Sequence, residues 1–297
     1  MPIEYADSSP SPSSCTVGVT SFEVTLPQWE NAALGIPDLT LERFNLIADI
    51  VVQAQRLRPQ FLVFPELSIP QRWAALLEDT LADSGISLVA GLEYRLQGQS
   101  QVVNEASISI ATGSHKFPVW RVQHQPKSQP AIGEAQSLRK LNPAKSHPIS
   151  SLRGVVHTHR SAKFSVFICS ELTDARVRSE LRGQIDLLFA VEFNQDIHSF
   201  ASIIEATCLD VHAFVVQCNN RKFGDSRVRS PASAEYRRDL IRLRGGDNDH
   251  LVVVKLPVAE LRTYQAQDRF GHVHHAPPSD ESFKPTPDGF LIVGGRK

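Results

Sequence analysis

Short apolar runs alternate with amphipathic helical segments along most of the chain, and no other feature of the sequence restricts the fold as much. Strand-like runs occupy residues 15–24, 61–70, 86–95 and 101–113. Apolar residues at helical spacing fill two segments between these runs, at 39–57 and 71–83. The order β-α-β-α-β-β, with further helices and strands after it, predicts a layered α/β domain with a mixed sheet.

The size and charge of the chain limit the classes of protein to which it can belong. Its 297 residues, 41% of them hydrophobic, are enough for one large core. The formal net charge of -1 removes any whole-chain attraction to nucleic acid or to an anionic membrane. No apolar run approaches the roughly 20 residues that a membrane span requires. The four cysteines stand at no metal-like spacing and no signal peptide precedes them, so we expect a cytoplasmic protein with reduced thiols and no metal or cofactor.

The two ends of the chain differ in composition from the rest. Residues 1–14 are rich in Ser and Pro and have no periodicity, which predicts a flexible N-terminal arm. The regular pattern then lasts to residue 262, so we assign 15–262 to one domain and 263–297 to a C-terminal extension. Three histidines stand between residues 272 and 275, but without Cys or carboxylates at ligand spacing they predict no metal site.

The stretch FSVFICSELTD, residues 164–174, places a cysteine at the end of a buried strand. Its apolar residues predict the strand, and Thr173 and Asp174 are good N-caps for a helix that follows. A thiol between a strand end and a helix start faces backbone N–H groups, which favour the thiolate. We therefore predict a lowered pKa and high reactivity for the Cys169 thiol. The alternative is that Cys169 is a small buried hydrophobe.

Two more polar residues follow strands in the same manner. Glu66 closes the apolar run FLVFPE, and Lys127 comes directly after a later strand. A carboxylate at the end of a buried strand needs a partner or a function, unless it lies in solvent at the rim. We expect Glu66, Lys127 and Cys169 to converge within a few ångströms at the ends of neighbouring strands.

In their order and contexts, these residues resemble the nitrilase superfamily of carbon–nitrogen hydrolases. Glu66 follows Phe-Pro, Lys127 precedes the run SQPAIGE, and Cys169 lies in the context I-C-S-E. Asn104 and the segment RGQIDLLFAVEFN also resemble the family's pattern, and the resemblance covers roughly residues 15 to 262. It implies an α/β fold, a four-layer α-β-β-α sandwich of two mixed sheets.

The resemblance also implies a reaction, the cleavage of a non-peptide C–N bond in a small-molecule amide or nitrile. Cys169 would form a thioester, Glu66 would transfer protons, and Lys127 would stabilise the developing oxyanion. Glu134 would be a second carboxylate near Lys127 and the substrate nitrogen, although a plain loop carboxylate remains the alternative. A backbone N–H near Ser170 would join Lys127 at the substrate oxygen. The family commonly forms homodimers or higher homo-oligomers.

Two other classes of function stay open. Ser170 stands where many family members carry an aromatic residue, and such departures would suit a catalytically silent module that binds a metabolite or a partner chain. An acyltransferase would use the same thioester and pass the acyl group to an amine or thiol. The presence of Glu66, Lys127 and Cys169 together favours an enzyme.

Two irregular segments remain. Residues 128–161 read as a long surface excursion that begins beside Lys127, so we expect it to border the substrate pocket and to select the substrate. Its Arg139, Lys140 and Lys145 would favour an anionic or polar substrate; a disordered insertion is the alternative. Seven arginines between residues 221 and 244 predict a solvated or partner-facing surface rather than a phosphate site.

Overall fold

The computed structural model describes residues 3–4, 14–98, 100–114, 117–160, 162–268 and 283–290. The described strands are β1 (Ile3–Glu4), β2 (Cys15–Ser21), β3 (Phe61–Ile69), β4 (Ser87–Gln97), β5 (Gln101–Ser114), β6 (Phe117–Pro126), β7 (His157–His159), β8 (Ala162–Ile168), β9 (Leu187–Glu192), β10 (Phe214–Asn219), β11 (Ser226–Arg229), β12 (Asp239–Leu243) and β13 (His250–Leu256). The described α-helices are α1 (Leu26–Ala33), α2 (Leu41–Leu57), α3 (Gln71–Asp83), α4 (Ile132–Leu141), α5 (Ala175–Glu180), α6 (Ile197–Val211) and α7 (Val258–Asp268). None of these helices is long and apolar enough to cross a membrane. The histidines at 272–275 lie outside the described residues.

The described strands form two mixed sheets. One has seven strands in the order β1-β7-β8-β9-β10-β11-β12, and the other has six in the order β13-β2-β3-β4-β5-β6. Within each sheet, parallel neighbours such as β8–β9 and β3–β4 stand beside antiparallel ones such as β10–β11 and β4–β5. Parallel neighbours that follow each other along the chain, such as β3–β4 and β8–β9, are joined by helical crossovers, as the alternating sequence pattern predicts.

The two sheets pack face to face, with helices on their outer faces. Phe61 of one sheet contacts Phe164 and Phe189 of the other, with ring centroids 5.3 and 5.2 Å apart. Buried side chains of α2 and α3, such as Ile50 and Leu81, pack on the six-stranded sheet, and those of α5 and α6 pack on the seven-stranded sheet. The predicted α-β-β-α sandwich of two mixed sheets is confirmed.

Three segments differ from what the sequence predicts. The segment 128–161 is not an irregular excursion, because it contains α4 and β7. Part of the predicted N-terminal arm is paired, since Ile3–Glu4 lies parallel to β7. The last helix, α7, runs to Asp268 and therefore continues past the domain boundary that we place at residue 262.

The arginine-rich segment is only in part the solvated or partner-facing surface that its composition predicts, because Arg227 and Arg229 are buried while Arg242 and Arg244 are exposed. It contributes β11 and β12 to the edge of the seven-stranded sheet. Arg229 is 7% exposed, and its guanidinium contacts Glu205 at 2.7 Å and Asp239 at 2.6 Å. Arg221 likewise pairs with two carboxylates. These arginines neutralise acidic side chains, of which Glu23, Glu205 and Asp249 lie outside the segment, and composition alone does not reveal such pairs.

Candidate active site

Glu66 lies within β3, at a break in its pairing with β4. The register with β4 is regular up to Phe64 and resumes at Ile69, and Leu67 between them has a φ of 61°. Gly91 of β4 lies against this break, where an added Cβ would be 2.3 Å from the Cα of Glu66. Because backbone atoms cannot move aside as a flexible side chain can, the position requires glycine. Glu66 is 2% exposed, so its carboxylate is buried.

Lys127 is placed by the end of β6. Its backbone N–H donates to the carbonyl oxygen of Asn104 on β5 (2.8 Å), directly after the last paired residue of the strand. The side chain is 1% exposed, and Nζ donates to Glu66 Oε1 (2.8 Å) and to Glu134 Oε2 (2.7 Å). Burial alone would lower the pKa of Lys127, but the charges of Glu134 and Glu66 raise it well above its ordinary value. Lys127 is therefore a cation held between two carboxylates.

Cys169 occupies the turn between β8 and a short 3₁₀ helix, Cys169–Thr173. Its φ of 49° lies in the left-handed region, which a non-glycine residue adopts at a cost and which recurs at functional sites. The Glu171 carboxylate accepts hydrogen bonds from the N–H groups of Ile168 (2.7 Å) and Ser128 (2.6 Å). Glu171 thus ties the cysteine turn to the residue that follows the lysine. The sequence does not predict this role of Glu171, although the I-C-S-E context shows a carboxylate two residues after the cysteine.

The three predicted catalytic residues line one cavity of about 520 Å³. Its wall is completed by Glu134 and by residues of α1, β3, β4, α4 with its N-cap, and the segment after β9, namely Leu26, Trp29, Glu30, Leu67, Tyr94, Ala131, Gly133, Ser137, Lys140, Leu141, Phe193, Asn194 and Gln195. A cavity of this size suits a small organic molecule. The structure therefore brings Glu66, Lys127 and Cys169 together and surrounds them with a mixed apolar and polar wall.

Glu134 lies in the first turn of α4 rather than in a loop. Its Oε1 accepts hydrogen bonds from Tyr94 (2.7 Å) and Asn104 (3.1 Å), and its Oε2 from Lys127 (2.7 Å) and the Ala131 N–H (3.2 Å). Burial alone would raise the pKa of Glu134, but Lys127 and these hydrogen bonds lower it to about 2. An ionised carboxylate has about four acceptor positions. All of them are used by groups of the protein, so Glu134 holds Lys127 in place; a contact of Glu134 with a substrate nitrogen stays a prediction.

Glu66, in contrast, keeps one acceptor position. Its Oε1 accepts from Lys127 (2.8 Å) and from Asn104 Nδ2 (2.7 Å), and its Oε2 accepts from the Phe193 N–H (2.9 Å). Among the described residues, no other donor contacts Oε2. Lys127 keeps one donor in the same way, because an ammonium has three N–H groups and described carboxylates take two of them. The site thus offers one proton acceptor and one cationic donor.

The Cys169 thiol does not have the lowered pKa that the sequence predicts. Burial raises its pKa well above the ordinary value, and Glu66 raises it further, while Lys127 lowers it. The predicted effect of a nearby lysine is present, but burial and a carboxylate outweigh it. Cys169 is therefore a neutral thiol in the free protein. A base must remove its proton during attack, as the open position on Glu66 allows.

Ser170 is not among the residues that line this cavity. It borders a separate small cavity of about 30 Å³ together with Glu171, Ser128 and Arg153. Its Oγ is buried and contacts no hydrogen-bonding group of the described residues. The participation of a backbone N–H near Ser170 stays a prediction.

Two aromatic residues of the site were not predicted from the sequence. Trp29 Nε1–H donates to the Tyr94 hydroxyl (3.1 Å), which in turn donates to Glu134. Trp29 belongs to α1, whose N-terminus is fixed by a capping box of Thr25 and Gln28. That capping signal, with a proline between the two residues, was the available indication of a helix. Within the described ranges, no three His, Cys, Asp or Glu side chains are grouped so as to hold a metal ion.

Comparison with known proteins gives matches among solved structures. The chain matches no protein-family model and no curated protein. An amidase from Nesterenkonia sp. is 16% identical with a TM-score of 0.60, over 88% of this chain and 97% of the amidase. A CN-hydrolase superfamily protein from Xanthomonas campestris, with an arsenic adduct in its active site, is 12% identical with a TM-score of 0.62, over 89% and 97% of the two chains.

A third structure is a glutamate-to-glutamine variant of the same amidase. It shows covalent addition of the acetamide moiety of fluoroacetamide at the active-site cysteine, and it is 17% identical to this chain with a TM-score of 0.60, over 90% and 98% of the two chains. Another structure of this amidase is described as a member of the nitrilase superfamily. At these identities the similarity establishes the fold alone, and this chain has the fold of a nitrilase-superfamily domain.

Proposed function

We propose that this protein hydrolyses a C–N bond of a small amide through a thioester on Cys169. One observation carries the proposal: Glu66, which keeps an acceptor position, Lys127, which keeps an N–H, and Cys169 all line one cavity. These three groups are the base, the oxyanion donor and the nucleophile that acyl transfer requires. The fold of the amidase structures is consistent with this reaction class.

Acylation begins with attack of the Cys169 sulfur on the carbonyl carbon. As the S–C bond forms, the thiol proton passes to Glu66 Oε2, and the carbonyl π electrons become an oxyanion that accepts the third N–H of Lys127. When the tetrahedral intermediate collapses, the C–N bond breaks and Glu66 returns the proton to the departing nitrogen. The products of this half-reaction are ammonia or an amine and a thioester on Cys169.

Deacylation uses the same groups. Water attacks the thioester carbon, and Glu66 takes the proton of the water as the new C–O bond forms. The C–S bond then breaks, the sulfur recovers its proton from Glu66, and a carboxylic acid leaves. Glu134 keeps its charge throughout, because its pKa of about 2 and its four donors hold it ionised beside Lys127.

An intact-mass experiment tests the proposal. The protein is incubated with a pool of small aliphatic and aromatic amides while ammonia release is recorded, and the protein is then quenched in acid. We expect an acyl adduct on Cys169 and released ammonia, with both absent in Cys169→Ala. The matched control is Cys15→Ala, which removes a buried cysteine outside the cavity and should keep both signals.

The outcomes separate the alternatives. Ammonia release without hydroxamate formation on addition of hydroxylamine indicates a strict hydrolase, whereas hydroxamate formation, or release that depends on an added amine or thiol, indicates acyl transfer. Binding of amides without any adduct or release would contradict the proposal and favour a silent module.

A further inference from the structure

The strand β5 is longer than its neighbour β6 at the end nearest the site. The antiparallel register ends where Glu105 pairs with Pro126. Proline has no N–H, and the next residue, Lys127, leaves the strand after one bond to the Asn104 carbonyl. The N–H groups of Val102 and Asn104 on this side of β5 therefore need acceptors from another part of the chain.

The segment 142–150, which we name the strap, supplies these acceptors. The Ser146 carbonyl accepts from the Val102 N–H (2.9 Å), and the Ser146 N–H donates to the Ser100 carbonyl (2.9 Å). The next residue of the strap, His147, accepts the Asn104 N–H on Nε2 (3.2 Å). An imidazole thus replaces a backbone carbonyl in the ladder of β5.

These contacts define the tautomer of His147. A backbone N–H is always a donor, so Nε2 must be the unprotonated nitrogen and Nδ1 must carry the hydrogen. Nδ1 then donates to the Pro148 carbonyl (2.6 Å). His147 is 9% exposed, and burial lowers the pKa of its imidazole, which keeps this neutral form. Both ring nitrogens are therefore used in holding the main chain.

The main chain that His147 holds belongs to the residue that connects the two carboxylates of the site. Asn104 Nδ2 donates to Glu66 Oε1 (2.7 Å) and to Glu134 Oε1 (3.1 Å). Its backbone is held on the same side by His147 at the N–H and by Lys127 at the carbonyl. A shift of this backbone would move the amide away from both carboxylates, and small displacements of that kind are costly in catalysis.

We propose that His147 is a positioning residue for hydrolysis, which fixes Asn104 so that its side-chain amide orients Glu66. The inference rests on the proposed function for the reaction, but its geometry does not depend on which amide is cleaved. It assigns to the strap a role in holding the catalytic base.

The test is a double-mutant cycle. His147→Gln keeps an acceptor for the Asn104 N–H, whereas His147→Leu removes it. We expect His147→Leu to lower kcat about tenfold with little change in KM, and His147→Gln to stay close to the unchanged protein. In an Asn104→Ala background, His147→Leu should lower kcat no further, because the group that it positions is absent.

A purely structural role predicts a different pattern. In that case His147→Leu lowers kcat equally in both backgrounds, or His147→Gln is as defective as His147→Leu in a folded protein, and either result overturns the proposal. His212→Leu serves as the control, because it removes a buried imidazole whose ring nitrogens contact the Lys284 carbonyl and the Gln265 side chain instead of the cavity. His212→Leu should lower the melting temperature, and its effect on kcat should not depend on whether Asn104 is present.

A second measurement separates this proposal from the proposed function. The rate at which a haloacetamide alkylates Cys169, followed by mass spectrometry, depends on removal of the thiol proton by Glu66 and does not require turnover. We expect His147→Leu to lower the alkylation rate and His147→Gln to keep it close to that of the unchanged protein. If alkylation shows this difference but no amide is hydrolysed, the role of His147 stands and the hydrolase proposal fails. If hydrolysis occurs but neither assay distinguishes Leu from Gln at position 147, the role of His147 fails alone.

Discussion

Glu192 is a buried carboxyl group close to the candidate active site, and its protonation leads to a quantitative prediction. It is 0% exposed at the end of β9, directly before Phe193, whose N–H donates to Glu66. Gln217 Nε2 donates to Glu192 Oε2 (2.7 Å), while Glu192 Oε1 and Gln217 Oε1 have no partner among the described residues. A proton on Glu192 removes a buried negative charge and keeps Oε2 as the acceptor of the Gln217 amide. The neutral acid therefore suits this environment better than the carboxylate.

The pKa of Glu192 is raised from 4.5 to about 8, by burial first and also by Glu66 and Asp225, while the Gln217 hydrogen bond and Arg227 lower it. A raised carboxyl pKa in the folded protein means that the unfolded chain releases its proton first as the pH rises. Folding stability from this group is thus complete below pH 4.5 and is lost between 4.5 and about 8. At about 1.4 kcal/mol per pKa unit, the loss amounts to about 5 kcal/mol.

The perturbation is Glu192→Gln. A glutamine can accept from the Gln217 amide, as the protonated acid does, but it does not titrate. We expect the variant and the unchanged protein to have similar free energies of unfolding near pH 4.5. The variant should become the more stable protein as the pH rises, with the difference approaching about 5 kcal/mol above pH 8. Urea unfolding at half-unit intervals from pH 4.5 to 9 measures this difference.

The control is Glu235→Gln, which alters an exposed glutamate and should show no such pH dependence. A stability difference between Glu192→Gln and the unchanged protein that stays constant across this range would refute the reasoning. It would mean that Glu192 titrates alike in the folded and unfolded chains. A difference that falls with rising pH would show that the carboxylate is stabilised by Arg227 instead.

Two shorter predictions concern Gly91, which packs against Glu66, and Lys140, which lines the cavity. Gly91→Ala should lower kcat/KM about 100-fold, because its Cβ would meet the Glu66 backbone at 2.3 Å and move the catalytic base; steady-state kinetics with a thermal unfolding control measures this. Lys140→Ala should raise KM roughly threefold to fivefold for amides that carry a distal carboxylate and leave neutral amides unchanged, since an exposed ion pair is worth up to about 1 kcal/mol. Arg139→Ala, which alters the preceding residue outside the cavity, is the matched control, and an equal effect of both variants would exclude a specific role for Lys140.

The fold was predictable because its regular elements carry their own signals. The helices α2 and α3 lie where the apolar spacing of residues 39–57 and 71–83 predicts, and most of the sheet strands follow from short apolar runs. The sequence predicts Glu66, Lys127 and Cys169 at the ends of neighbouring strands, but Glu66 lies inside β3 at a break in its pairing, and Cys169 follows a strand of the other sheet. Local periodicity was sufficient for the regular elements, but it did not reveal the break within β3 that holds Glu66.

The helices and strands that the sequence did not predict are those whose local sequence signals are weak or are masked by charged side chains. α4 carries Gly133 in its first turn, and its apolar face is short, so residues 128–161 looked irregular. β11 and β12 lie in the arginine-rich segment, where charged side chains hide the alternation of a strand. Arg229 is buried because Glu205, 24 residues away in sequence, neutralises it together with Asp239. Such pairing depends on the tertiary fold and has no sequence signature.

The same distinction applies within the candidate site. Glu66, Lys127 and Cys169 are visible in the sequence because the chemistry requires particular side chains. The groups that orient them act through main-chain contacts: Glu171 binds two N–H groups beside the nucleophile and the lysine, and His147 binds the N–H of Asn104. Many residue types supply acceptors for a backbone N–H, so these positions have no characteristic pattern in a single sequence. The structure identifies them because each acceptor can be traced to the donor that it satisfies.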